Sequence, residues 1–425
     1  LDWHAVDWRA AEDRVRRLRQ RIFAATQVGD LKRVRSLQKL MLRSLSNTLL
    51  SVRQVTERNA GRLTAGVDGQ VVASAADKER LVIDIQSSPL RARPVRRVFI
   101  PKANGKLRPL GIPVISDRAR QAQVRNALEP EWEARFEPKS YGFRPGRGCH
   151  HAIEAIYQVV KGKDLRRQWI LDADLHGAFD HIDHDAVLDQ LGSFPARGMI
   201  RAWLTAGVMD NGRFAPTEEG APQGGVISPL ILNIVLHGME TAAGVRYFKR
   251  SRGGIEAAPD APVLVRYADD MLVFCHSREH AEQVKVQLTK WLRPRGLVFN
   301  PAKTQIVHVN QGCDFLGFNI RRYHGRLPLI KPSEDHGQSV HSGVSRTAMP
   351  VARSRRTRFP SARQRHRQRN ATVRRTESPG NHRRAICRKP RRRSRQRECV
   401  RRPSRVCQGW PRSGPSRDRQ HSPCP

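Results

Sequence analysis

The chain has 425 residues, 78 Lys and Arg against 39 Asp and Glu, a formal net charge of +39 and 38% hydrophobic residues. No window approaches the roughly 18–20 apolar residues of a spanning helix, which excludes a membrane protein. Seven Cys without a CxxC pair exclude a disulfide framework and a zinc ribbon.

Such positive charge predicts a polyanionic partner, nucleic acid first, because each neutralised phosphate releases a counterion. The length allows roughly two to four domains. The Cys usage fits a reducing cytoplasm, and a start at Leu1 rather than Met fits a fragment of a longer frame.

Val15, Leu18, Ile22 and Phe23 recur at helical spacing between Arg9 and Ala25, and a second periodic run starts after Asp30 and passes Leu37, Leu40, Leu45 and Leu49. The polar positions of both are mostly Arg, Lys and Gln, a surface for phosphates or simply a solvated face. Residues 61–69 read as a loop and 76–86 as a helix. Residues 95–100 and 107–112 read as two strands joined by a turn carrying Asn104-Gly105. Helices follow over 117–133 and 150–161.

A buried strand is expected over 169–175, then helices over 185–191, 197–208 and 227–240. Two short apolar runs, 263–266 and 271–274, flank Tyr267-Ala268-Asp269-Asp270 and predict a hairpin with carboxylates at its tip. A helix over 279–292 and strands over 305–309 and 315–320 complete an α+β sheet covered by helices on one side.

Asp174 ends one strand, and Asp269 and Asp270 sit at the turn of another pair. Converging carboxylates repel unless a cation neutralises them. Hard divalent ions such as Mg²⁺ favour one or two carboxylates together with substrate phosphates, the arrangement that phosphoryl transfer uses. Taken alone, Asp269-Asp270 also fits an ordinary acidic turn.

The run Leu264 to Phe274 resembles the YxDD hairpin of reverse transcriptases. Upstream, Asp172-Ala173-Asp174-Leu175 to Asp180 resembles the first catalytic-aspartate block, followed by Pro222-Gln223-Gly224-Gly225 to Ser228-Pro229; downstream come Asn300-Pro301-Ala302-Lys303-Thr304 and Phe315-Leu316-Gly317-Phe318. Val98 to Lys102, Gly105 to Pro113, Ser140 to Gly146, Trp8 and Thr64 to Gly69 are similar to bacterial group II intron reverse transcriptase/maturases. The resemblance covers roughly residues 3–332. Retron and diversity-generating relatives share the YxDD core, but the glycine-flanked Gln223 block and the N-terminus favour the intron-encoded branch.

The resemblance implies an RNA-directed DNA polymerase with a right-hand fingers and palm architecture and an RRM-like antiparallel palm sheet. A helical RNA-binding extension would span 1–65, fingers 66–167 and palm 168–333. Asp174, Asp269 and Asp270 would hold two Mg²⁺ ions, with Mn²⁺ as the alternative. Lys102 and Arg108 would reach the triphosphate, Phe179 would exclude a 2′-hydroxyl, and Gln223 would hydrogen-bond nucleotide or template. Lys303 would donate a proton to departing pyrophosphate, and Asp180 and Asp183 read as structural. Implied partners are group II intron RNA, an RNA template, a DNA primer and dNTPs, with no membrane and with dimerisation left open. The setting would be a bacterial cytoplasm, at the nucleoid during mobility.

Cys149-His150-His151 and Cys275-His276 lack a second pair at zinc spacing and read as packing residues. The family's helical thumb and HNH segment have no counterpart after Pro332. Residues 334–425 carry 26 basic and 5 acidic side chains, no Leu and no Tyr. Such a tail cannot bury enough apolar area to order itself and is expected to be disordered. It reads as an RNA-binding arm or as an out-of-frame product of GC-rich DNA. In the second case a binding-only or decayed remnant becomes the alternative to a polymerase.

Overall fold

A computed structural model of the chain describes residues 1–89, 91–101, 105, 107–162, 165–249, 254–323 and 329–333. Lys102, Asn104 and the tail from 334 lie outside the described residues.

Three helices open the chain: α1 (Trp8–Gln27), α2 (Leu31–Arg43) and α3 (Leu45–Arg53). The Asp7 and Asp30 carboxylates cap the first two by accepting backbone N–H groups of the first turn. The helical run expected from Asp30 to Leu49 is two helices. Ser44 leaves helical geometry and its hydroxyl accepts from Asn47 N, the competition that makes Ser a capping residue. Val15, Ile22, Val34 and Met41 turn into the core, while Arg14, Arg17, Arg21, Lys32, Arg33 and Lys39 face outward.

Next come α4 (Ala75–Ser87) and the antiparallel strands β1 (Val95–Pro101) and β2 (Leu107–Ile112). Helix α5 (Ile115–Arg135) runs beneath α1–α3 and is buried on polar as well as apolar positions. Gln38 Nε2 donates to Glu131 at 2.8 Å, Arg35 pairs with the same carboxylate at 2.6 Å, and Asn47 Nδ2 donates to the Gln123 carbonyl at 3.1 Å.

After α6 (Cys149–Val160) come β3 (Trp169–Ala173), α7 (His184–Leu191) and α8 (Arg197–Leu204). The helix expected to reach Val208 stops at Leu204. Val208 instead opens β4 (Val208–Asp210), which pairs in parallel with β1 and antiparallel with β5 (Arg213–Ala215). The helix expected over 227–240 is also two pieces, α9 (Ser228–Val235) and α10 (Met239–Ala242), separated by a turn at Gly238. An unanticipated hairpin, β6 (Tyr247–Lys249) and β7 (Ile255–Ala257), precedes β8 (Val263–Tyr267) and β9 (Asp270–Cys275).

Helix α11 (Arg278–Leu292) and β10 (Gln305–His308) follow, then β11 (Cys313–Phe315), β12 (Phe318–Arg321) and β13 (Leu329–Pro332). The strand expected over 315–320 is a hairpin. Leu316 (φ +53°) and Gly317 (φ +79°) form its two-residue loop, and two positive φ values match the twist of the flanking strands.

The palm-like sheet has the order β10-β3-β9-β8, antiparallel throughout. Its cover differs from the expectation of helices on one side. Leu171, Met271 and Val273 face a core shared with α7, α9 and α11, whereas Ile170, Val265, Leu272 and Phe274 face a second core built by α6 and β11–β12. Burial of both faces explains why these strands are apolar at nearly every position.

Candidate active site

Strand register brings the acidic residues together. Ala173 pairs with Met271, and one step further along both strands Asp174 comes opposite Asp270. Tyr267 and Asp270 close the β8–β9 hairpin around a two-residue turn, Ala268 and Asp269. Ala268 sits at φ +57°, a left-handed conformation that costs an L-residue on the order of 1 kcal/mol. A third arm comes from the chain before β10: Asn300 N donates to the Asp174 carbonyl at 2.8 Å. The turn that follows carries Lys303, whose Nζ donates to Asp174 Oδ2 at 2.5 Å.

Burial raises the Asp270 carboxyl to about 7, with repulsion from Asp269 and Asp174 adding to it. Asp269 is raised mainly by burial and by Asp174, with Arg108 and Lys303 acting against the shift. Lys303 is raised by its hydrogen bond to Asp174. Asp172, two residues before Asp174 and therefore on the same strand face, is raised by burial to about 6 and accepts from Gln305 at 3.1 Å. Asp172, Asp174, Asp270 and Lys303 line one pocket of about 500 Å³.

Phe179 and Gln223 line a smaller cleft of about 100 Å³ with Arg97 and Gly111. The Phe179 ring is 8% exposed and meets Phe143 edge-on at 6.4 Å. The Gln223 carbonyl accepts from Gly111 N at 2.8 Å, and a Cβ on Gly224 would stand 2.9 Å from the Gly111 carbonyl oxygen, so the loop lies directly on β2. Gln121, buried in α5, holds the same loop by accepting from Val226 N at 2.9 Å. Arg108 is exposed on β2, and Lys102 lies outside the described residues. Asp183 caps α7 by accepting from Ala186 N.

Beneath the hairpin turn lies the fully buried Arg266, quoted in the YxDD run but given no role by it. Its signal in the sequence is an Arg directly after the apolar Val263-Leu264-Val265, within the same strand. Asp172 was passed over likewise, although period-2 alternation sets it beside Asp174.

The donor chemistry fits a hard divalent cation: buried like charges gain most from one, and carboxylate oxygens are its preferred ligands. Among the described residues no group of three or more His, Cys, Asp or Glu side chains closes around an ion. No helix among the described residues is long and apolar enough to cross a membrane.

A family model for reverse transcriptase (RNA-dependent DNA polymerase) matches residues 100–320, and one for the N-terminal domain of reverse transcriptase matches residues 3–85. Protein YkfC of Escherichia coli (strain K12) is 35% identical over 311 residues, covering 65% of this chain and 81% of that protein. Group II intron-encoded protein LtrA of Lactococcus lactis is 29% identical over 321 residues, covering 62% of this chain and 53% of LtrA. The chain thus spans about half the length of LtrA. A solved structure of apo telomerase from Candida tropicalis truncated from its C-terminal domain aligns with a TM-score of 0.42 and 15% identity over 58% of this chain and 56% of that one. With its family models, its relatives and its palm-like antiparallel sheet, this chain belongs to the reverse transcriptase family, among the group II intron reverse transcriptase/maturases.

Proposed function

We propose that the chain is an RNA-directed DNA polymerase of a mobile group II intron, adding dNTPs to a DNA primer on an RNA template. The observation that carries this reading is the meeting of Asp174, Asp269 and Asp270 at one end of a buried antiparallel sheet, with Lys303 hydrogen-bonded to Asp174.

In the reaction, the primer 3′-hydroxyl oxygen attacks the α-phosphorus of the dNTP, the bond to the β-phosphate oxygen breaks, and pyrophosphate leaves. Asp174, Asp269 and Asp270 would hold two Mg²⁺ ions, or Mn²⁺, which would supply charge neutralisation at the reacting phosphate. Arg108 offers the triphosphate a two-pronged donor, and Lys102 a point charge. Phe179 stands under the sugar and excludes a 2′-hydroxyl by shape. Gln223 hydrogen-bonds nucleotide or template, and Lys303 hands a proton to the departing pyrophosphate oxygen. The outward Arg and Lys of α1 and α2 bind intron RNA through its phosphates, which supports splicing and retrohoming.

The test is extension of poly(rA)/oligo(dT) with dTTP and Mg²⁺, comparing the chain with Asp269→Ala. Incorporation that the substitution abolishes supports the reading. No incorporation, with tight and salt-sensitive RNA binding retained, supports a binding-only maturase remnant instead.

A further inference from the structure

Arg266 is 0% exposed and lies at the centre of a polar network directly beneath the carboxylate hairpin. Its Nη1 donates to the Ala268 carbonyl at 3.0 Å and to Asn233 Oδ1 at 2.8 Å, and its Nη2 donates to Ser140 Oγ at 2.8 Å. Its own backbone is tied to the same loop: Tyr141 N donates to the Arg266 carbonyl at 2.9 Å, and Arg266 N donates to the Lys139 carbonyl at 3.0 Å. Asn233 closes the circuit, with Nδ2 donating to the Gly142 carbonyl at 2.8 Å. One guanidinium therefore joins the hairpin turn, the loop at 139–142 and helix α9, which follows the Gln223 loop.

Comparison with Arg144 and Arg35 sets it apart. Arg144 grips the same loop by donating to the Glu137 and Ser140 carbonyls, and its charge is matched by Glu133 at 2.9 Å. Arg35 is matched by Glu131 in the same way. Among the described residues, Arg266 forms no ion pair, and all its hydrogen bonds end on neutral oxygens. Burial pulls its pKa down to about 10, which leaves it charged at neutral pH, with Glu137, Glu240 and Asp269 the acids whose fields it feels. A buried charge with no directly hydrogen-bonded acid is costly even with acids nearby, so packing alone is a poor account of it.

The Ala268 contact supplies a better one. Ala268 is held at positive φ and forms the turn that presents Asp269. The turn also fits tightly on the loop, since a Cβ on Gly142 would stand 2.4 Å from Ala268 N. We propose that Arg266 is a positioning residue for the carboxylate hairpin, fixing the left-handed turn at Ala268 and locking it to the 139–142 loop and to Asn233, so that Asp269 and Asp270 hold their place against the nucleotide cleft. This rests on the polymerase reading of the hairpin.

The experiment measures primer extension by the full chain on poly(rA)/oligo(dT) at varied dTTP, for Arg266→Met, Arg266→Lys, and Arg266→Met combined with Ala268→Gly. Arg266→Met is expected to lower kcat at least tenfold with KM for dTTP within twofold, and Arg266→Lys to recover part of the loss. Glycine at 268 adopts the left-handed turn without strain, so the double variant is expected to regain at least threefold over Arg266→Met. A general packing defect would not be relieved at that position. Wild-type kcat in a folded Arg266→Met, or no recovery with Ala268→Gly, overturns the inference. Should Arg266→Met fail to fold, Ser140→Ala and Asn233→Ser each remove one hydrogen bond from the same guanidinium. A kcat loss of threefold or more at constant KM in both supports the inference, and wild-type kcat in both overturns it. Asp269→Asn, run alongside, separates the two levels: if it still polymerises, the reading of the hairpin fails. If it is inactive while the Arg266 variants are unimpaired, only the positioning role fails.

Discussion

Lys303 Nζ and Asp174 Oδ2 are 2.5 Å apart, joining the turn before β10 to the end of β3 at the mouth of the acidic pocket. The Lys303 side chain is 65% exposed, so the pair contributes little to stability. Lys303→Gln is expected to leave the melting temperature within about 2 °C, since an exposed substitution shifts stability by roughly 0.5 kcal/mol at most. Single-turnover nucleotide addition should fall by about tenfold or more if Lys303 is the proton donor, and the basic limb of its pH profile should disappear. An unchanged rate and profile would make Lys303 a counter-ion only.

Asp270 links stability to pH in the metal-free protein. Its carboxyl is raised to about 7, whereas an unfolded Asp titrates near 3.9. Between these values the native state binds more protons than the unfolded state, so stability falls as pH rises from about 4 to 7. Asp270→Asn in EDTA should remove that fall and melt several degrees higher at pH 7.5, a gain of up to about 4 kcal/mol, with little difference at pH 4. Adding 10 mM Mg²⁺ should raise the wild-type midpoint and leave the variant's unchanged, because a ligand stabilises only the state that binds it. Scanning calorimetry in the two buffers checks both statements.

Discrimination against ribonucleotides should reside in the Phe179 ring. Phe179→Ala is expected to lower the dTTP-to-UTP ratio of kcat/KM by about tenfold, with the gain entirely in UTP use. Removing a buried Phe costs about 3 kcal/mol, so the comparison belongs at 25 °C with folding verified by circular dichroism. A variant that remains folded and keeps the wild-type ratio would return Phe179 to the core.

The tight seat of the hairpin turn can be loosened from the other side. An added methyl at Gly142 would meet the Ala268 nitrogen at 2.4 Å and the Ala268 Cβ at 2.9 Å, and backbone cannot step aside as a flexible side chain can. Gly142→Ala should cost about 1–3 kcal/mol by overpacking. It should also lower kcat at least tenfold without weakening RNA binding, as filter binding at several salt concentrations would check. Equal losses in binding and turnover would point to global damage.

Much of this arrangement is legible in sequence because it rests on short-range pattern. An apolar run, two acidic residues and another apolar run predict the β8–β9 hairpin, and the helix start at Asp30 follows from capping chemistry. What escapes depends on partners far along the chain. Val208 is a strand residue because β1 lies beside it, not because of its neighbours. Phe315-Leu316-Gly317-Phe318 looks like continuous strand until the backbone reverses at Leu316 and Gly317. Arg266 shows an anomaly in its strand, but its partners Ser140 and Asn233 lie 126 and 33 residues away. The cover on both sheet faces is a property of α6 and β11–β12 as much as of the strands themselves.

The contact between α5 and the first helices sets buried amides and carboxylates within an apolar seam that includes Val34, Met41, Leu128 and Trp132. Gln38, Asn47, Gln123 and Glu131 are all buried there and satisfy one another. A purely oily seam would tolerate sliding and repacking, but the polar pairs set into this one favour a single alignment, because any shift strands several polar groups without water or partner. The N-terminal helices therefore behave as a keyed part and not as a detachable sleeve. Grafting them onto another polymerase requires α5 to travel with them, and deleting them should uncover apolar as well as polar positions of α5 and speed amide exchange along that helix.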